Sequence, residues 1–486
     1  MTPVNEYEAH DAVGLAALVA AGDVTPGELL DAALARAEAL QPKLNAFTHL
    51  VPDTARRLIA EGLPEGPLRG VPFLLKDLGC EAADFPADNG SRLLKNTRYP
   101  VDSELYARLR AAGLVAFGRT TAPEGGVGVA TEAAVYGGPT RNPWDLSRTP
   151  GGSSGGAGAA VAAGVVPAAH GSDGGGSVRI PASCCGLFGF KPTRARLPDG
   201  PYAGEGWAGM AIDGYLTRSV RDTAALLDAT AGPDLGAPYW APPLRESYAA
   251  ALSRPPRRLK VALAATTLDG DPIHPDCVAA AEDAARLLAD LGHTVDLARP
   301  TADTREMMRQ WTRIVACGTA LWVREKLAKL GRPLAEDDIE PTARGAIALA
   351  ATVSGPDYLA AVEAIHDYGR AMAGFFAEWD VLLTPTLGEP PAAVGRFAHA
   401  RWSDFEAFRL GPEGVYPYSP FTAAFNATGQ PAASVPLFWN AAGSPIGVHL
   451  AAPFGEDETL MALCGELEQA RPWFDRRPPA ENRFAA

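Results

Sequence analysis

The 486-residue sequence predicts an α/β fold, a β-sheet covered by helices on both faces. Two observations carry this. Short strand-like runs alternate along the chain with longer segments of helical period. Those short runs are apolar throughout rather than at every second position, as strands buried on both sides are. A composition of 47% hydrophobic and 21% charged residues can fill the core that such a fold requires.

The first strong element is helical. In "GDVTPGELLDAALARAEAL", Thr25 and Glu28 form a T-x-x-E capping box with Pro26 at the first helical position, and Leu29, Leu30, Ala33, Ala37 and Leu40 share one face. "LRGVPFLLKDLG" then reads as a buried strand from Val71 to Leu75 that ends at Lys76. A helix is expected over Ser103 to Ala112, followed by a strand in "GLVAFGRT". From Thr149 to Pro192 glycine, alanine and serine dominate, and charge nearly vanishes apart from His170, Asp173, Arg179 and Lys191. Such a stretch lets backbones approach closely at an entropic cost. It reads as a small-residue helix over Ala157 to Ala163 and a strand in "GVVPAAH". Pro- and Gly-rich "AGPDLGAPYWAPPL", residues 231–244, is the best candidate boundary. Beyond it come a strand in "RLKVALAAT", a helix over Pro275 to Leu291, a strand in "HTVDLA", a helical region from Thr304 to Leu330, and strands in "DVLLTPT" and "PAASVPLFW".

A net charge of −14 argues against phosphate-backbone binding, so nucleic acid is not an expected partner. "MTPVNEYEAHDAVG" lacks the basic and apolar regions of a secretory signal. The apolar run from Ala157 to Ala169, interrupted by Gly158, Gly164 and Pro167, is too short to span a bilayer. The six cysteines read as reduced, mostly buried thiols, Cys317 among them. Together these features make the cytoplasm the expected compartment, with no membrane association.

Two serines compete for attention. Gly151-Gly152-Ser153-Ser154-Gly155 fits the G-x-S-x-G nucleophile elbow, which would require a histidine later in the chain. The order serine, acid, histidine favours His449, but "PIGVHLAAP" places that residue inside a strand-like run. Ser177 instead follows Gly174, Gly175 and Gly176, whose backbone N–H groups can face one concavity and hold a developing oxyanion. The plain alternative is a tight turn. Lys76 can pair with Asp77 or snorkel; buried among neutral hydroxyls, its amine becomes a base. Ser153 could then carry a proton between Lys76 and Ser177. No P-loop or dinucleotide fingerprint accompanies the glycines.

The order and spacing of "GVPFLLKD", "GGPTRNPWD" and "PGGSSGGAGAAVAAGVVPAAHGSDGGGSVRIPASCCGLFGFKPT" resemble the amidase signature family, and the likeness extends to "FNATGQPAASVPL" and "GSPIGVHLAAPFGEDETLM". The resemblance implies a mixed sheet in one amidase domain over 1–486, with a signature core at about 70–230, a connection at about 231–244 and a C-terminal part at about 245–486 completing the sheet and pocket. It implies Ser177 as nucleophile, Ser153 as bridging serine after a cis peptide, and Lys76 as base. Backbone N–H groups of Gly174, Gly175, Gly176 and Ser177 would form the oxyanion hole, supported by Ser154, Asp173 and Arg179. No metal or cofactor is implied.

Two departures from the family pattern stand out. Gly174 replaces a threonine, which suggests a wider acyl pocket, and Leu78 replaces a polar asparagine. "LLKDL", "AAHGSDGGGSVRIPAS" and "GRPLAEDDIE" are most similar, within the family, to the 6-aminohexanoate cyclic-dimer hydrolases. The expected substrate is therefore a small uncharged amide such as a cyclic or linear aminohexanoate oligomer. Alternatives are a glutaminase subunit of a tRNA-dependent amidotransferase, an aryl-amide, carbamate or ester hydrolase, and a non-catalytic binding protein. A homodimer is the default assembly.

Overall fold

A computed structural model describes residues 7–484. Eleven strands form one sheet: β1 (Phe47–Thr48), β2 (Pro72–Lys76), β3 (Val115–Thr120), β4 (Ala168–Asp173), β5 (Phe188–Lys191), β6 (Ile212–Thr217), β7 (Lys260–Leu263), β8 (Thr294–Leu297), β9 (Val381–Pro385), β10 (Ala432–Trp439) and β11 (Pro445–Ala451). Their spatial order is β1-β3-β2-β4-β6-β5-β10-β11-β9-β7-β8. The sheet is mixed. β2 runs parallel to β3 and β4, and β7 parallel to β8 and β9, whereas β4, β6, β5, β10, β11 and β9 form an antiparallel middle. Helices cover both faces, giving the α/β architecture that the alternating pattern predicts.

Local chemistry explains the elements that were legible. The helix Pro26–Leu44 starts on the Thr25–Glu28 capping box, with both reciprocal hydrogen bonds made. The helix Thr304–Leu330 starts where Asp303 accepts the Glu306 N–H and stops at Gly331, φ 63°. The strand expected in "GVVPAAH" begins later, at Ala168. Gly164 is left-handed (φ 75°) and Pro167 has no N–H to give to a ladder, so pairing starts only after them. β5 and β6 were not anticipated. "FGFK" is only four residues long, and "IDGYLT" carries an internal glycine.

Residues 231–244 hold no helix or strand, yet strands from before and after them join the same sheet. β10, from the last sixth of the chain, pairs directly with β5. No single helix among the described residues is long and apolar enough to cross a membrane. All six cysteines are free; five are buried, and Cys317 is only partly so, against the expectation of a core position.

Candidate active site

Parallel β2 and β4 deliver their C-terminal ends to the same edge of the sheet, the usual place for a ligand site in such sheets. β2 ends on Lys76, and β4 ends on Asp173, from which the glycine loop runs to Ser177. The wholly buried helix Gly155–Ala162 brings Ser153 and Ser154 to the same place at its N-terminus.

Lys76 is fully buried. Its Nζ lies 2.6 Å from Ser153 Oγ and 2.9 Å from Ser172 Oγ. The pairing with Asp77 that the sequence offered is absent, because Asp77 instead accepts the Asp88 N–H at 2.9 Å and the Tyr136 hydroxyl. Burial pulls the Lys76 amine down from 10.5 to about 7, against the opposing charges of Asp213 and Asp173. A substantial fraction is therefore free amine at neutral pH. Leu78 packs so closely on Gly126 that a Cβ there would lie 2.4 Å from Leu78 Cδ2. The Gly152–Ser153 peptide is cis. Ser154 N–H donates to the Ser177 carbonyl at 3.2 Å, which ties the two serine segments together. Ser154 Oγ accepts from Ser172 N–H at 3.3 Å.

Ser177 opens on a cavity walled by Val127, Trp207, Met308, Trp311 and Arg409. Its hydroxyl has no hydrogen-bond partner among the described residues, Ser153 included. The N–H groups of Gly174, Gly175 and Ser177 likewise have no protein acceptor among them. Gly176 differs from the expectation: its N–H donates to Asp173 Oδ1 at 2.7 Å and is committed inside the loop. The positive φ of Gly176, 127°, needs a glycine.

The loop is clamped from below. Asp173 takes Arg179 Nη2 at 2.8 Å on one oxygen and Arg179 Nε at 3.0 Å on the other, together with the Val178 N–H. Although burial alone would raise it, Arg179 holds the Asp173 carboxyl far below the usual carboxylate range. Arg179 also reaches Asn426 Oδ1 at 2.6 Å and the Thr422 carbonyl at 2.9 Å, while its Nη1 donates to His449 Nε2 at 3.0 Å. His449, the base that an elbow reading would appoint, is thus a buried acceptor for arginine, and burial depresses its basicity. Asp173→Asn is expected to destabilise the fold by about 3–5 kcal/mol, since it strands the Arg179 charge in the core. Urea unfolding measures this directly.

The wider pocket expected at Gly174 does not exist, because the Trp207 indole fills the vacated space. A Cβ on Gly174 would lie 2.6 Å from Trp207 Cζ3, and one on Gly175 would lie 2.2 Å from Trp311 Cη2. The two indoles meet edge to face, with centroids 6.4 Å apart. Gly174→Thr is therefore expected to displace Trp207 and slow hydrolysis of every amide by about 100-fold, a positioning loss rather than a change of selectivity. Tryptophan emission and a substrate panel distinguish the two outcomes.

The residue-type pattern did not single out Ser172, Trp207, Trp311, Arg409, Thr422 or Asn426. Only Ser172 and Asn426 had a signal, since both lie inside quoted motifs. Cys317 does not line the cavity.

The Amidase family matches residues 28–461. The chain belongs to the amidase family. A 6-aminohexanoate-cyclic-dimer hydrolase of Paenarthrobacter ureafaciens is 39% identical over 481 residues, with 97% of each chain covered. The solved structure of a 6-aminohexanoate cyclic dimer hydrolase complexed with substrate is similar at a TM-score of 0.91 and 38% identity, covering 97% of this chain and 99% of that one. A bacterial aryl acylamidase is similar at a TM-score of 0.86 and 29% identity, with the same coverage. This amidase is an amide-cleaving hydrolase with the amidase signature fold, one mixed sheet of 11 strands.

Proposed function

We propose that this amidase hydrolyses small amides through a Ser177–Ser153–Lys76 relay and an acyl-enzyme. The 2.6 Å contact between the buried Lys76 amine and Ser153 Oγ carries the reading. Uncharged Lys76 accepts the Ser153 proton as Ser153 takes that of Ser177, and Ser177 Oγ adds to the amide carbonyl. The N–H groups of Gly174, Gly175 and Ser177 receive the oxyanion, and Gly176 supports them through Asp173. The relay returns a proton to the leaving amine, and water then repeats the sequence on the ester. The Ser153–Ser177 hydrogen bond that the relay needs forms when substrate fills the cavity, since catalytic hydrogen bonds are commonly long or unmade in the free enzyme.

The likeness to cyclic-dimer hydrolases and the alkyl and indole walls support a substrate of the 6-aminohexanoate oligomer kind. The single sheet supports reading residues 1–486 as one amidase domain. The indole walls also favour a second reading, an aryl acylamide substrate, which anilide turnover exceeding alkylamide turnover would establish. The principal test is trapping with a fluorophosphonate and peptide mapping. Adduct on Ser177 is expected; adduct on Ser153 would overturn the assignment.

A further inference from the structure

The cavity beside Ser177 is lined by a cation with no counterpart among the described residues. Arg409, on the short helix Phe405–Leu410, is 3% exposed. Its Nε and Nη2 are buried without a hydrogen-bond partner, and among the described residues no carboxylate pairs with it. The face of Trp311 lies 4.0 Å from its guanidinium carbon. Trp311 Nε1, in the same wall, is also buried without an acceptor.

Two other buried arginines of this fold have several protein acceptors each, although Arg119 Nε is also without one. Arg119 donates to the carbonyls of Lys76, Gly79, Cys80 and Phe85, and Arg179 is wrapped by Asp173, Thr422, Asn426 and His449. Leaving one guanidinium unsatisfied is costly unless something else completes it. Burial lowers Arg409 to about 9, which still leaves it charged at neutral pH.

We propose that Arg409 is the binding site for a carboxylate carried by the substrate, so that the amidase prefers amides ending in a carboxylate, as linear aminohexanoate oligomers do and cyclic ones do not. A carboxylate offers two oxygens matched to the guanidinium fork, and it neutralises the charge where a neutral carbonyl would only accept a hydrogen bond. The geometry places the two ends of such a molecule on one indole. The Trp311 Cη2 edge packs on Gly175, beside the free N–H groups, and its face carries Arg409. Val127, Met308 and Trp207 supply apolar wall for a methylene spacer. The inference rests on the proposed site at Ser177 and replaces a wholly uncharged substrate with one charged at its far end.

Two matched pairs test it: adipic monoamide against 6-methylheptanamide, and 6-acetamidohexanoate against N-hexylacetamide. Binding to the full-length Ser177→Ala protein, measured by calorimetry, reads the anion site without any chemistry. In at least one pair the carboxylate is expected to bind about 10-fold or more tightly. That preference should collapse to within about 2-fold in Ser177→Ala/Arg409→Met and persist in part in Ser177→Ala/Arg409→Lys, which keeps the charge but not the fork. Equal binding of both members in both pairs, or a preference untouched by Arg409→Met, would overturn the proposal. The preference of the Ser177→Ala protein is readable even if the methionine variant does not fold. Failure to trap an adduct on Ser177 would count instead against the catalytic reading, so the two failures are distinguishable.

Discussion

Ser177→Ala is expected to lower amide hydrolysis by about 10⁴- to 10⁶-fold, the loss typical when a serine nucleophile is removed. The fold should be nearly indifferent. The Ser177 hydroxyl makes no hydrogen bond among the described residues, so its removal orphans no buried partner, and unfolding free energy should stay within about 0.5 kcal/mol of wild type. The comparison with Ser153→Ala is the decisive control. If Ser153 were an elbow nucleophile, its variant would be the dead one and Ser177→Ala would retain turnover. Under the relay, both variants are severely impaired, but only the Ser153→Ala protein keeps a nucleophile for the fluorophosphonate to label. Steady-state kinetics, label stoichiometry and a urea titration separate these outcomes.

Lys76→Met is expected to reduce kcat/KM by about 10³-fold, within the range that general-base catalysis contributes. Methionine preserves most of the buried volume, and the loss should therefore be chemical rather than structural. The wild-type pH profile follows from the same residue. Only the unprotonated amine accepts a proton, and burial has brought its pKa to about 7. Activity should therefore rise tenfold per pH unit below 7 and level off above it. Lys191 is also pulled to about 7, by burial and the Arg179 charge, so the profile alone does not name the residue. The residual activity of Lys76→Met decides: it should lose the acidic limb, whereas a limb surviving in that variant would point elsewhere.

How much of this was legible before the structure differs by the physical origin of each feature. Local signals worked where the chain carries its own instructions. The Thr25–Glu28 box marked a helix start because capping is decided within a few residues. The motif around residues 76, 153 and 177 was readable as a family pattern, and the contact of Lys76 with Ser153 accords with it; the roles of these residues are proposals. What was not legible depends on distance along the chain. Nothing near Gly174 and Gly175 announces Trp207 and Trp311, which occupy the space where side chains would otherwise sit. Arg409 lies 232 positions after Ser177 in an unremarkable helical turn, and its lack of partners exists only in three dimensions. The commitment of the Gly176 N–H to Asp173 was equally invisible, because consecutive glycines look alike until their peptide planes are oriented.

The clamp beneath the glycine loop carries a consequence for how the protein is made. Asp173 and Arg179 are held by Asn426 and by the carbonyl of Thr422, and the middle of the sheet is closed by β10 and β11. A nascent polypeptide stalled before residue 420 contains every residue of the proposed relay but lacks the parts that seat it. Competence should therefore arrive abruptly near the end of translation, and two co-expressed fragments cut at that point should become active only on reassociation.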